Sequence, residues 1–347
     1  MRAFQIVGPH STDLTSVPEP EPRPGEVLIK VGAAGACHSD LHIIDAPVGS
    51  YPSPLTLGHE NAGWIEAMGP GVTGWEKGEA VAIYGIIGCG RCPACLQGRE
   101  NQCRVIPPGG GIGITRDGGM ADYVTVPASR LVSIGDLDVA QAAPLTDAGL
   151  TPYHAIQLCR DVLVPGATCV VIGIGGLGHM AIQILAATTA AQILAVDMKP
   201  EALQLATQTG AREAILADEY AAEHIRSLVG PEPGGADVVL DFVGAESTLS
   251  LGASVVSIGG RFALIGLAGG QLRVSPSVGE TGIPFETRVV IPFWGTKAEL
   301  AEVIALARSR RISPHVEQFP LHNANVAYDK LRAGQLSGRA VVLPAAA

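Results

Sequence analysis

The chain has 347 residues, 44 of them glycine, a hydrophobic fraction of 47% and a formal net charge of −10. That length exceeds what one hydrophobic core usually supports, so two domains are expected, and the composition suits a compact α/β protein and excludes a disordered chain. The acidic balance, without a basic run, excludes a nucleic-acid footprint.

The opening MRAFQIVGPHSTD lacks the apolar core of a signal peptide, and no uninterrupted apolar stretch of about 18 residues follows, so a cytoplasmic protein with no membrane partner is expected. Over residues 1–148, short apolar runs (Glu26 to Val31, Ala80 to Tyr84, Tyr123 to Val126) alternate with Gly and Pro clusters, the texture of a mainly β unit. From about Leu150 the pattern changes. Runs at Thr168 to Ile172, Gln192 to Val196, Asp237 to Asp241 and Arg261 to Ile265 read as strands, with helical patterns at Leu177 to Ala190, Pro200 to Thr209 and Ala245 to Val256 between them. Such alternation is the signature of a parallel, doubly wound sheet. Lys297 to Ser309 reads as a further helix, with Leu300, Val303, Ile304 and Ala307 on one face, and Ala340 to Leu343 as a last strand.

Gly173-Ile174-Gly175-Gly176-Leu177-Gly178 fits G-x-G-x-x-G and stands between a strand and a helix. There, backbone N–H groups and the helix dipole can meet a pyrophosphate. Gly173 suits the tight turn, Gly175 the approach of phosphates, and Gly178 close packing of helix on strand. The next strand ends at Asp197, where a carboxylate can bond ribose hydroxyls and would repel a 2′-phosphate. NAD is therefore expected in preference to NADP.

Of the seven cysteines, Cys89, Cys92, Cys95 and Cys103 fall within fifteen residues. Four thiolates on so short a loop can enclose one tetrahedral Zn²⁺ with no open position, a structural site, with an iron–sulfur cluster as the rival. Cys37-His38-Ser39-Asp40-Leu41-His42 and Gly58-His59-Glu60 carry further ligand types. Neither stretch alone specifies a metal.

Gly58-His59-Glu60-Asn61-Ala62-Gly63, continuing to Gly69 and Val72, resembles the zinc-containing alcohol dehydrogenase signature G-H-E-x-x-G-x5-G-x2-V. With the four-cysteine segment, the Cys37 segment and the glycine turn in the same order, the chain resembles the medium-chain dehydrogenase/reductase superfamily from end to end. The run Pro144 to His154 is similar to bacterial secondary-alcohol dehydrogenases.

The resemblance implies an α/β protein with a mainly β, GroES-like catalytic domain (residues 1–148, completed by 297–347) and a Rossmann domain with a doubly wound parallel sheet (149–296). It implies two Zn²⁺ per chain. The catalytic ion would be held by Cys37, His59 and Asp147, with Asp147 standing where many relatives have cysteine, and with Glu60 as an additional ligand or nearby base. Asp147 as a mere helix N-cap is the bland alternative.

Ser39 and His42 match family positions that relay a proton to solvent, a task suited to an imidazole. By the same resemblance His38 and Arg339 lie at the cofactor phosphates. Tyr51, Phe293 and Trp294 are candidates for an apolar substrate pocket or for ordinary core packing.

The activity implied is hydride transfer between an alcohol, secondary in particular, and NAD, with a ketone or aldehyde as the carbonyl partner. The implied assembly is a homodimer or homotetramer. A polyol or primary-alcohol dehydrogenase, a zinc-free reductase of the same superfamily and a non-catalytic protein keeping the fold are the alternatives.

Overall fold

The computed structural model describes residues 1–106, 110–229, 234–275 and 282–344. The chain forms two compact units, one of Met1–Leu150, Gly295–Arg310 and Pro314–Ala347, the other of Thr151–Trp294 and Arg311–Ser313.

The first unit is built on antiparallel strands. Strand Glu26–Ala36 lies in the middle of a seven-stranded sheet, paired with Glu60–Met68, Tyr123–Pro127 and Arg339–Leu343. Its inward side chains Val27, Ile29 and Val31 join Ile65, Val81, Ile83, Val126 and Leu131 in one core. The final strand, whose packing periodicity leaves open, pairs antiparallel with the central one (Ala340 opposite Ala36) and parallel with Val316–Pro320. The C-terminal segment thereby returns to the strand that leads into Cys37.

Helix Lys297–Arg308 begins with a capping box: the Thr296 N–H donates to Glu299 Oε2 at 2.7 Å, and the Glu299 N–H donates to Thr296 Oγ1 at 3.2 Å. This satisfies two helix-end donors. Its Leu300, Val303, Ile304 and Ala307 are all buried, as the 3.6-residue period requires.

The second unit holds a six-stranded parallel sheet, ordered Glu213–Leu216, Gln192–Asp197, Thr168–Ile172, Ala236–Asp241, Val256–Leu264, Arg288–Val290. Numbered within the unit, this is the order 3-2-1-4-5-6 of a dinucleotide-binding sheet. The order reverses between Thr168–Ile172 and Ala236–Asp241, and ligands of such sheets bind beyond the carboxyl ends at that point. Helix Pro200–Thr209 follows the sequence closely, with Pro200 in its first turn and Gly210 at φ 122° just past its end. Strand Glu213–Leu216 and helix Ala221–Val229 have no counterpart in the sequence reading, because the strand is short and only Ala221 and Ile225 of the helix are fully buried.

Candidate metal centres and dinucleotide turn

Three side chains of the first unit converge beside the ends of its central strands. Cys37 follows the strand Glu26–Ala36 and stands at the N-cap of helix His38–Ile44. His59 precedes strand Glu60–Met68, after a turn at Gly58 with φ 96°. Asp147 lies in a π-helical turn, Leu145–Gly149, between helices Val139–Pro144 and Leu150–Leu158. Such turns re-aim a side chain within a helix and recur at functional sites.

Cys37 Sγ and His59 Nε2 each lie 3.7 Å from Asp147 Oδ2, and all three ligand atoms fall within 4.8 Å of one another. A tetrahedral zinc with one sulfur, one nitrogen and one oxygen ligand would place these atoms about 3.4–3.6 Å apart. The donor set and its spacing thus fit a zinc ion, and three protein ligands leave a fourth position for substrate. Asp147 points at the other two ligands, which the helix-cap reading does not account for.

Asp40, fully buried, stands behind these ligands. Its Oδ1 is 2.9 Å from His59 Nδ1, and its Oδ2 accepts the Cys37 N–H at 3.0 Å and the Tyr328 hydroxyl at 3.0 Å. A carboxylate on Nδ1 fixes the ring's tautomer and leaves Nε2 to bind metal. Burial alone would lower the His59 pKa, but Asp40, Asp147 and Cys37 together hold it well above the usual value. The carboxylates of Asp40 and Asp147 also attract a cation.

Glu60 is also buried, and Arg339 holds it: Nε donates to Oε2 at 2.8 Å and Nη2 to Oε1 at 2.7 Å, while the Ala148 N–H donates to Oε1 at 2.9 Å. Gly35, opposite Glu60 in register, makes the room, since a Cβ there would lie 1.8 Å from Glu60 Oε2. Burial raises the Glu60 pKa and Arg339 pulls it back. Arg339 Nη2 also reaches Asp147 Oδ2 at 3.4 Å. Arg339, which the resemblance puts at the cofactor phosphates, is here a buried partner of Glu60 and Asp147, and Glu60 accepts from Arg339 and a backbone amide.

Ser39 Oγ lies 3.6 Å from Cys37 Sγ, half-buried, whereas His38 and His42 of the same helix are exposed. Tyr51 packs, partly buried, against the core of this unit. Trp294, in the second unit, is buried at φ 52° and meets Phe293 edge to face at 6.2 Å.

Cys89, Cys92, Cys95 and Cys103 gather around helix Pro93–Leu96. Cys95 Sγ lies 3.6 Å from Cys92 Sγ and 3.9 Å from Cys89 Sγ, bracketing the roughly 3.8 Å edge of a tetrahedral zinc–thiolate site with Zn–S near 2.3 Å. Backbone N–H groups of Cys89 and Ile106 donate to Cys103 Sγ at 3.4 Å. Bonds from the Ile106 and Val105 backbone draw the Cys103 pKa down to about 6, favouring the thiolate a metal needs, whereas burial pushes Cys95 up to about 12. A Cβ at Gly88 would lie 2.7 Å from Cys95 Sγ, so the loop wraps its sulfurs tightly. The tetrad fits a closed, four-coordinate zinc.

In the second unit the glycine turn follows strand Thr168–Ile172, and Leu177 leads into helix Gly178–Thr188. Gly173 has φ 86°, and a Cβ at Gly178 would lie 1.9 Å from Gly173 O. Among the described residues nothing stands within 4 Å of the Cβ position of Gly175, leaving that backbone open to phosphates, with half-buried Gly176 beside it. Asp197 Oδ2 accepts the Ile174 N–H at 2.7 Å and Oδ1 the Lys199 N–H at 2.9 Å. A carboxylate has about four lone-pair sites, so the one that braces the turn can still accept ribose hydroxyls.

Residues 23–136 match the alcohol dehydrogenase GroES-like domain, and residues 176–309 match the zinc-binding dehydrogenase domain. The NAD-dependent alcohol dehydrogenase of Sulfurisphaera tokodaii is 36% identical, over 99% of each chain. The chain belongs to the zinc-containing alcohol dehydrogenases of the medium-chain dehydrogenase/reductase superfamily. Among solved members of the family, the alcohol dehydrogenase of Aeropyrum pernix superposes with a TM-score of 0.90 at 30% identity, covering 99% of this chain and 100% of that one. The acetophenone reductase of Geotrichum candidum, solved in complex with NAD, superposes with a TM-score of 0.85 at 32% identity, covering 99% and 96%.

Two residues at the zinc site of this family member escape the sequence reading. Asp40 carries a local signal, since it stands three residues after Cys37 where a helix-start carboxylate can turn back to the Cys37 N–H. Tyr328 carries none, because 288 residues separate it from Asp40.

Proposed function

We propose that the protein is an NAD-dependent zinc alcohol dehydrogenase acting on small secondary alcohols and ketones, and the observation that carries this reading is the convergence of Cys37 Sγ, His59 Nε2 and Asp147 Oδ2 within one ligand sphere. Cys37, His59 and Asp147 would hold the catalytic ion, and Cys89, Cys92, Cys95 and Cys103 the structural one. When bound, zinc supplies the Lewis acidity that acidifies an alcohol hydroxyl or polarises a carbonyl.

The residues' own tasks follow from their placement. Asp40 fixes the His59 ring, and Arg339 with the Ala148 N–H holds the Glu60 carboxylate beside Asp147. Ser39, next to Cys37, takes the substrate's hydroxyl proton, and exposed His42 on the same helix passes it to water. The turn Gly173 to Gly178 receives the pyrophosphate at a helix N-terminus, and Asp197 bonds the adenosine ribose, favouring NAD. His38, Tyr51 and Trp294 complete the reading as cofactor and substrate neighbours.

The secondary-alcohol preference draws on Asp147 as third ligand, on the resemblance around Pro144 to His154 and on the likeness to an acetophenone reductase. A homodimer or homotetramer is supported by the edge strand Arg288–Val290, flanked by Ile291 at 78% exposure, since an uncovered apolar edge invites pairing. Cytoplasmic placement agrees with the lack of disulfides among the described cysteines, and no helix among the described residues is long and apolar enough to cross a membrane.

A rate panel of primary alcohols, secondary alcohols and diols, with NAD⁺ and NADP⁺ and with or without a chelator, tests the proposal. Fastest chelator-sensitive turnover on secondary alcohols with NAD⁺ is expected. Preference for diols would favour the polyol reading, and chelator-insensitive turnover would refute the zinc assignment.

A further inference from the structure

The carboxylate of Asp40 touches two of the three residues around the open metal centre, the Cys37 backbone through Oδ2 and the His59 ring through Oδ1. A carboxylate is free to turn about its terminal torsion, whose energy profile is broad and roughly two-fold. The lone Cys37 N–H fixes that torsion weakly. The Tyr328 hydroxyl supplies a second donor to the same oxygen at 3.0 Å.

Tyr328 is anchored independently of Asp40. It projects from helix Ala324–Arg332, is buried in the core of the first unit, and its ring stacks on Phe4 with centroids 5.8 Å apart and planes 14° from parallel. Its hydroxyl also lies 3.1 Å from Met120 Sδ. Packing thus sets where the hydroxyl stands, and the hydroxyl in turn restrains Asp40.

We infer that Tyr328 is a positioning residue for the catalytic metal, acting through Asp40 to hold the His59 ring and the Cys37 backbone in ligating geometry. The inference rests on the zinc reading of Cys37, His59 and Asp147 proposed above. The chain Tyr328–Asp40–His59 extends the support of one metal ligand from strand-end neighbours to the C-terminal segment of the fold. Partners of this kind typically affect metal affinity about 10–100-fold.

The test uses full-length, zinc-loaded enzyme and the variants Tyr328→Phe, Phe4→Leu and His59→Ala. Zinc per chain is measured against rising chelator, together with the visible spectrum after cobalt replaces the catalytic zinc. Tyr328→Phe keeps the ring and loses only the hydroxyl, so it is expected to release one zinc at about 10–100-fold lower chelator, with a shifted cobalt spectrum and the four-cysteine zinc retained. Phe4→Leu keeps the hydroxyl and the helix that carries it, and is expected to lower Tm with a clearly smaller effect on zinc retention than Tyr328→Phe.

Wild-type retention and spectrum in Tyr328→Phe would overturn the inference, as would equal zinc loss in Phe4→Leu. His59→Ala separates the two levels. If it still holds both zinc ions, the underlying zinc reading fails; if it holds one while Tyr328→Phe behaves as wild type, only the role of Tyr328 fails.

Discussion

Arg339→Met removes the counter-charge from a fully buried carboxylate while keeping most of the side-chain volume. In the native protein Glu60 accepts two bonds from Arg339, at 2.8 and 2.7 Å, and one from the Ala148 N–H. The variant leaves only the last. Removing one partner of a buried ion pair typically costs about 3–5 kcal/mol, and Asp147 also loses its 3.4 Å contact with the guanidinium, so the upper half of that range is expected.

For a folding unit of roughly 150–250 residues this corresponds to a fall in Tm of about 8–20 °C. The loss should depend on pH. Burial already raises the Glu60 pKa and Arg339 opposes the rise, so the variant's carboxyl titrates higher still. A group whose folded pKa lies above its unfolded value contributes stability at low pH and loses it as pH climbs through the folded value; the variant's deficit should therefore be smallest near about pH 5 and largest near about pH 8. Thermal melts of zinc-loaded enzyme across that range measure it, and Arg339→Met/Glu60→Gln should recover most of the loss by removing the stranded charge. A single variant melting within about 1 °C of wild type, or a deficit that grows toward acid, would refute the reasoning.

Cys103→Ser should reduce zinc content to one ion per chain and lower Tm, because the loop's closed site loses a thiolate whose backbone partners favour ionisation; two ions per chain in that variant would contradict a four-thiolate site. Gly178→Ala places a Cβ about 1.9 Å from Gly173 O and should abolish tight NADH binding, read by fluorescence titration, with unchanged affinity as the opposing result. Asp197→Gly should reduce the ratio of kcat/KM with NAD⁺ to that with NADP⁺, and an unchanged ratio would count against a ribose contact.

Legibility from sequence differed by element for physical reasons. The glycine turn and the four cysteines are local in sequence, so spacing alone gives their geometry, and the face of helix Lys297–Arg308 follows from its period. The pairing of Arg339 with Glu60 depends on strand Arg339–Leu343 returning beside strand Glu26–Ala36, a long-range choice that no local pattern encodes. The same holds for Tyr328 on Asp40. The π turn at Asp147 was likewise hidden, since Pro144-Leu145-Thr146-Asp147 reads equally well as the start of a helix. Family resemblance, rather than periodicity, put Asp147 beside Cys37 and His59, and the 3.7 Å contacts support that grouping on independent geometric grounds.

Cys37, His59 and Asp147 would hold the ion on which the dehydrogenase activity depends. Zinc content and NAD⁺-dependent oxidation of a secondary alcohol, measured together on His59→Ala, test it most directly. One zinc per chain, loss of turnover and largely intact NADH binding are expected. A variant that keeps both zinc ions and most of its turnover would contradict it.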